Sequence, residues 1–385
     1  MEYDIKQILS QFNIDVDAQL YGEGHINTTY LAEIAPDKYI LQKINTNIFT
    51  DPDGLMKNIA EVTSFLRKSI TENGGDPNRE TLNLIKTKDG KDYYKAEDGS
   101  CFRLYTYVEN TVTYQTVEKK EQFYNAAKAF GKFQRQLADF PADTLTETIK
   151  DFHNTRKRFA DFKAAGEEDK MGRKASVQKE IDFVLAREND CGIVVDALNS
   201  GELPVRVTHN DTKLNNVLFD ADTDEAICVI DLDTVMPGSL LYDYGDSIRF
   251  GASSGAEDEP DLDKIWCDME LLLQCRNVDF PDIPCFACRI SRKTSRIASG
   301  HTDPHDAIRG MRTMGTGDAS ATGQKIAETA RCETAVWNVI ILGEVRSAIR
   351  FCLTGAVGIV YVYTEIGVVY DRVGELSSGN EILTG

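Results

Sequence analysis

The chain has 385 residues, with 43 Lys and Arg against 62 Asp and Glu, a formal charge of −19, and 42 % hydrophobic residues. That length supports a large buried core and two to three domain-sized units. A chain so acidic makes a poor partner for a nucleic-acid backbone or an anionic membrane, which both call for basic surface, so neither is expected as a partner.

Residues 1–12 are polar and acidic, without the basic start and apolar run of a signal peptide. The longest apolar stretch, Val357 to Tyr363, is too short to span a bilayer. Nine cysteines, an odd number without a signal, read as reduced thiols in the cytoplasm. The composition is uneven. Residues 1–284 carry 32 Lys and Arg against 52 Asp and Glu, whereas residues 285–385 carry 11 against 10. Six of the nine cysteines lie from Cys267 onward.

In chain order, Thr29–Ile34 and Tyr39–Ile44 read as a hairpin around the turn Ala35-Pro36-Asp37-Lys38. Leu55, Ile59, Val62, Phe65 and Leu66 recur at helical spacing, which predicts a helix from Leu55 to Ser69. Short strands follow around 82–87, 92–95 and 101–108, parted by Asp89-Gly90 and Asp98-Gly99 turns. From Lys119 the period changes, with Phe123, Ala126, Ala127, Phe130, Phe133 and Leu137 on one helical face. Further helices are predicted over 151–165 and 177–187, and short strands over Val205–His209 and Ala226–Ile230. Strands first and helices second is the two-lobe order of kinase-like folds.

The strongest chemical signal is Thr208-His209-Asn210-Asp211-Thr212-Lys213-Leu214-Asn215-Asn216. His, one residue, Asp, four residues, Asn is the spacing of a phosphoryl-transfer catalytic loop. Such chemistry needs a carboxylate to take or orient the attacking hydroxyl proton, here Asp211. It needs an amide oxygen that holds Mg²⁺ without adding charge, here Asn216. Lys213 is placed to neutralise the transferring phosphoryl group, and His209 would bond the loop backbone. A plain polar loop between two strands would use some of the same residues. Fifteen residues after Asn216, Val229-Ile230-Asp231-Leu232-Asp233 ends an apolar strand in two acids. Asp231 is the expected metal ligand, with Asp233 a secondary ligand or a partner behind it.

Upstream, Tyr21-Gly22-Glu23-Gly24-His25 is a short Gly-rich loop in which Gly22 and Gly24 would let backbone N–H groups approach phosphate, although a plain hairpin turn looks the same. Lys43 on the following strand is expected to hold the α- and β-phosphates. Glu61 would be either its ion-pair partner or a solvated residue. Tyr107 and Glu109 fall where a hinge would offer backbone groups to adenine. ATP and Mg²⁺ are therefore the expected cofactors.

The stretches YGEGHINTTYL, YILQKINTNIF, RVTHNDTKLNNVLFD and IDLDTVMPGSLLYDYGDSIRFGAS together resemble N-acetylhexosamine 1-kinases. These belong to the aminoglycoside phosphotransferase and choline kinase-like superfamily. The similarity covers roughly residues 20–271. It implies an α+β, bilobal protein-kinase-like fold, with a small β-rich lobe over 1–108 and a larger, mainly helical lobe over 109–280. It implies transfer of the ATP γ-phosphoryl group to the anomeric hydroxyl of N-acetylglucosamine or N-acetylgalactosamine, in the cytoplasm. Sugar contacts carry over onto His25, Asp211 and Phe250, while Asp243 and Asp246 would buttress the loop. Two related readings stay open: an aminoglycoside- or choline-type kinase, and a catalytically impaired ATP- or sugar-binding protein.

After about Gln274 the resemblance stops, and residues 281–385 form a region of their own. A shifted reading frame and a divergent helical end of the second lobe would both account for it. Cys285-x₂-Cys288-x₁₂-His301-x₃-His305 in this region has zinc-finger spacing. Arg292 and Ala298 fall where its apolar core should be, and Pro304 interrupts the helix its histidines need, so no zinc is expected.

Overall fold

The computed structural model describes residues 3–22 and 26–253. These form two compact units, one of residues 3–153 with 204–253 and the other of residues 154–203. The lobe boundary expected after residue 108 falls inside the first unit. The 281–385 region, with its Cys/His pattern, lies outside the described residues.

Helix α1 (Ile5–Ser10) opens the first unit, capped by the Asp4 carboxylate, which accepts the Gln7 N–H at 2.9 Å. Strand β1 (Ala18–Leu20) pairs with β2 (Thr28–Ile34), which pairs with β3 (Asp37–Ile44) around a cis Ala35–Pro36 bond. Helix α2 (Pro52–Glu72) starts from Asp51, whose side chain accepts the Gly54 N–H, and buries Leu55, Ile59, Val62, Leu66 and Ile70. After the one-turn α3 (Pro77–Glu80) come β4 (Leu84–Ile85), β5 (Tyr94–Lys95), β6 (Cys101–Thr106) and β7 (Thr111–Val112).

The antiparallel sheet has the order β1-β2-β3-β6-β4, with β5 also on β6. Its register pairs Gln42 with Arg103 and Lys43 with Phe102. Because side chains alternate across a pleat, these two pairs point to opposite faces. One face carries Ala32, Leu41, Phe102 and Leu104, packed with Ile8, Leu9 and Phe12 of the α1 region. The other carries Thr29, Gln42 and Arg103.

Helix α4 (Lys120–Gln136) buries Phe123, Ala126, Ala127, Phe130 and Phe133, the face its periodicity predicts. The second unit is helical: α5 (Thr155–Glu168), α6 (Gln178–Leu185), α7 (Glu188–Cys191) and α8 (Ile193–Asn199). Within it, Arg156 Nε donates to Asp196 at 2.6 Å.

The chain then returns to the first unit with β8 (Arg206–Thr208), β9 (Val217–Asp220), β10 (Ala226–Val229), β11 (Met236–Gly238) and α9 (Leu240–Gly251). Strand β9 pairs with β10 and β7, and β8 with β11. The sequence reading passes over α1, β1, α3, β7, β11, α7 and α8, which are two to seven residues long, and over α9. No helix among the described residues is long and apolar enough to cross a membrane.

Helix α9 ends on Gly251, where a Cβ would stand 1.8 Å from the ring of Phe123, itself 3 % exposed. Gly251→Ala is expected to cost about 1–3 kcal/mol by overpacking. A shift in the urea midpoint would show it, and an unchanged midpoint would mean the two helices can part freely.

Candidate active site

Loop 209–216 leaves β8 and returns through a 3-10 turn, Leu214–Asn216, into β9. Two carboxylates of α9 hold its backbone. Asp243 accepts the N–H groups of His209 (2.9 Å) and Asn210 (2.7 Å) and the amide of Gln134 (2.8 Å). Asp246 accepts the N–H of Thr212 at 2.7 Å. Burial pushes the Asp243 carboxyl up, against the pull of His209 and of those three donors. Both acids thus buttress the loop, as expected.

His209 is fully buried against the edges of Phe130 and Phe133, at ring distances of 5.3 and 5.9 Å. Its Nδ1 accepts the Asp211 N–H at 3.3 Å, which places the ring proton on Nε2, 2.9 Å from the Ile230 carbonyl. Asn210 takes a left-handed conformation, φ 67°, and its amide donates to the carbonyls of Thr208 and Thr234.

The loop brings three of the expected residues together. Asn216 Nδ2 donates to Asp211 Oδ2 at 3.0 Å and to the Asp211 carbonyl at 2.8 Å. Asp211 Oδ1 is buried without a hydrogen-bond donor, and Lys213 Nζ stands 3.4 Å from it as an ion-pair partner. The fourth, Asp231, lies just past β10 in a left-handed conformation (φ 57°, ψ 62°). A non-glycine residue held there costs roughly 1–3 kcal/mol and persists where neighbours over-determine it. Ile230 supplies part of that restraint, donating its N–H to the Asn216 carbonyl at 2.9 Å. Burial, and then the charges of Asp233 and Asp211, push the Asp231 carboxyl up to about 7, while Arg103 and Lys213 oppose the shift.

Asp233 already has a partner on each carboxylate oxygen, the arrangement of a residue standing behind the ligand. Its Oδ1 is paired with Arg103 Nη1, and its Oδ2 accepts from Asn27 Nδ2 at 2.7 Å. Arg103 is 1 % exposed and also donates from Nε to Gln42 Oε1 at 3.0 Å. Sequence reasoning missed both Arg103 and Asn27. The signal was available: a lone cation inside the run Cys101–Tyr105, buried along its whole length, must find a buried anion.

Lys43 is not brought to this cluster. The pleat turns it to the α1 face of the sheet, where its ammonium lies 4.5 Å from the ring centre of Tyr3. Glu61 pairs with Lys57 instead. At the hinge, the Tyr107 N–H donates to the Lys38 carbonyl, and the Glu109 carbonyl accepts from Arg79. The Tyr107 ring packs edge-on to Tyr21, with which it shares a hydroxyl hydrogen bond. Gly22 takes φ 73° in open space at the mouth of its loop, a conformation that favours glycine, while Gly24 and His25 lie outside the described residues. Phe250 sits in the last turn of α9, its ring 5.9 Å from the guanidinium carbon of Arg249. Arg249 in turn donates to Asp246 at 2.9 Å.

Among the described residues no three His, Cys, Asp or Glu side chains gather as a metal cluster. Asp231 and Asn216, joined through the Ile230–Asn216 backbone bond, are the pair that could hold a divalent cation. One carboxylate and one amide oxygen, with phosphate and water completing the sphere, suits Mg²⁺. Asp211 Oδ1 lacks a hydrogen-bond donor even with Lys213 beside it, and the raised Asp231 carboxyl marks a place short of positive charge, so the residues fit the ion.

The folded chain holds the Asp231 proton more tightly than an unfolded chain does, so its ionisation destabilises the fold progressively from about pH 4 to about pH 7. Asp231→Asn is therefore expected to melt above the wild type at about pH 8 and level with it at about pH 4, in EDTA. Thermal melts check this, and an equal gap at both pH values would overturn it.

Two solved structures share the fold. The structure of the microcompartment-associated aminopropanol kinase matches 89 % of this chain and 96 % of its own, at 14 % identity and a TM-score of 0.50. An aminoglycoside phosphotransferase from Alicyclobacillus acidocaldarius matches 89 % and 97 %, at 13 % identity and a TM-score of 0.51. The α+β, kinase-like fold expected from the sequence is thus the fold observed. Residues 17–270, about two thirds of the chain, match the phosphotransferase enzyme family APH, and they contain every residue of the cluster around Asp211. The chain belongs to the APH phosphotransferase family.

Proposed function

We propose that the protein is an ATP- and Mg²⁺-dependent kinase acting on the anomeric hydroxyl of N-acetylglucosamine or N-acetylgalactosamine. The products are the sugar 1-phosphate and ADP. The observation that carries phosphoryl transfer is the meeting of Asp211, Lys213, Asn216 and Asp231 within one compact unit. Asp211 accepts the hydroxyl proton as the sugar oxygen bonds to the γ-phosphorus and the bond to ADP breaks. Lys213 neutralises charge on the transferring group. Asn216 and Asp231 would hold Mg²⁺, which would supply positive charge to the nucleotide phosphates. Positioning and electrostatics account for most of the catalysis.

The acceptor class rests on the hexosamine-kinase words, with His25 and Phe250 as the sugar contacts. Helix α9 supports this reading physically: its first turns fix residues 209–212, and its last turn carries Phe250. Cys101, Cys191 and Cys228 are buried free thiols, in keeping with a cytoplasmic setting. The solved neighbours name the competing acceptors, an amino alcohol and an aminoglycoside.

ADP release with Mg²⁺ and ATP, measured with N-acetylglucosamine, N-acetylgalactosamine, aminopropanol, choline and kanamycin, tests the reading. Turnover with a hexosamine is expected, and turnover confined to an amine would replace the acceptor. Asp211→Asn is expected to lower kcat by about 10²–10⁴-fold while ADP affinity holds. Undiminished turnover in that variant would remove Asp211 from the chemistry.

A further inference from the structure

The geometry points to Arg103 as a positioning residue that sets the Asp231 turn through Asp233. In this arrangement the sheet, and not the catalytic loop alone, fixes the metal-facing carboxylate. The inference rests on the phosphoryl-transfer reading of the site.

With Lys43 on the far face, Arg103 is the sheet cation that reaches the acidic cluster. One candidate role is a direct phosphate clamp, which requires an accessible guanidinium. Arg103 is 1 % exposed, its Nε is bound to Gln42 and its Nη1 to Asp233, and its cation lies 5.4 Å from the ring of Tyr105. It is enclosed by the sheet, and what it can do is hold Asp233.

Asp233 is gripped on every polar group that faces the sheet. Arg103 takes one carboxylate oxygen, Asn27 takes the other, and the Thr148 hydroxyl donates to its carbonyl at 3.0 Å. Asn27 itself is pinned, because its Oδ1 accepts the Asn45 N–H at 3.0 Å. Upstream, Ile230 is held by the catalytic loop on both its N–H and its carbonyl. Asp231 lies between these two restraints in its left-handed conformation. One restraint comes from loop 209–216 and the other from Arg103 of β6, Asn27 just before β2 and Thr148. A buried ion pair is a weak device for stability alone, since apolar replacements of similar volume do as well or better. Its geometric effect is specific: it fixes where the turn after β10 sits.

The test uses the full chain with two variants, Arg103→Lys and the double variant Arg103→Met with Asp233→Leu. The double variant removes both charges together, so that neither is left buried and unpaired. Melting temperature, ADP binding by calorimetry with Mg²⁺ and with EDTA, and the half-saturating Mg²⁺ for turnover are measured. The double variant is expected to melt near the wild type and to bind ADP in EDTA unchanged. The gain in ADP affinity that Mg²⁺ confers should fall about 10–100-fold, and half-saturating Mg²⁺ should rise to match. Arg103→Lys should recover part of both. A double variant that keeps the full Mg²⁺ gain would make the pair structural only. A loss of ADP affinity in EDTA as large as that with Mg²⁺ would make Arg103 a nucleotide contact instead. A wild-type chain without Mg²⁺-dependent ADP binding would remove the phosphoryl-transfer reading, and the positioning role with it.

Discussion

The Asp243 carboxylate, buried at the start of α9, accepts two consecutive backbone N–H groups from the loop that carries Asp211. A short loop leaving a three-residue strand has few backbone bonds of its own, and its orphaned donors must be met. Asp243 meets them with an acceptor that also turns the chain, so that Asn210 goes left-handed and Asp211 emerges beyond it. Gln134 of α4 holds the same carboxylate, and Phe130 and Phe133 of α4 enclose His209. Helix α4 therefore serves the site twice without contributing a reacting atom.

From this anchor the order of assembly is physical. His209 links the loop to the Ile230 carbonyl, and Asn216 links it to the Ile230 N–H, so the turn after β10 is registered against the loop on both sides of one residue. Burial above all, and then the neighbouring charges of Asp233 and Asp211, hold the Asp231 carboxyl in its protonated form. Like charges kept together in this way form a site that a cation would relieve.

The spacing His-x-Asp-x₄-Asn and the acids after the next strand are short-range patterns, so the loop, Asp211, Lys213, Asn216 and Asp231 were legible in the residues themselves. What depends on a strand's facing was not. Lys43 and Gln42 are neighbours, and one step along a pleat exchanges the two faces of a sheet. The sequence analysis expects the lysine at the phosphates, whereas the register sends Lys43 to the α1 face and puts Gln42 and Arg103 on the other. Asn27 was hidden for another reason: its partner Asp233 is 206 residues away, and no local rule joins them. Helix α9 went unread because its two inward acids, Asp243 and Asp246, interrupt the apolar periodicity, and those acids are what bind the loop.

The Asn216 side chain carries one more consequence. Both of its short contacts are donated, from a single nitrogen, to the carboxylate and the carbonyl of Asp211. The position therefore demands a group that gives on one side and accepts on the other. An aspartate would set two acceptors against each other at about the length of a hydrogen bond, and a serine hydroxyl would be too short to span them. The amide is thus selected for its two-sidedness as much as for its neutrality. It turns its oxygen away from Asp211 because its nitrogen is already committed there, so the aim of the proposed ligand is set by the fold.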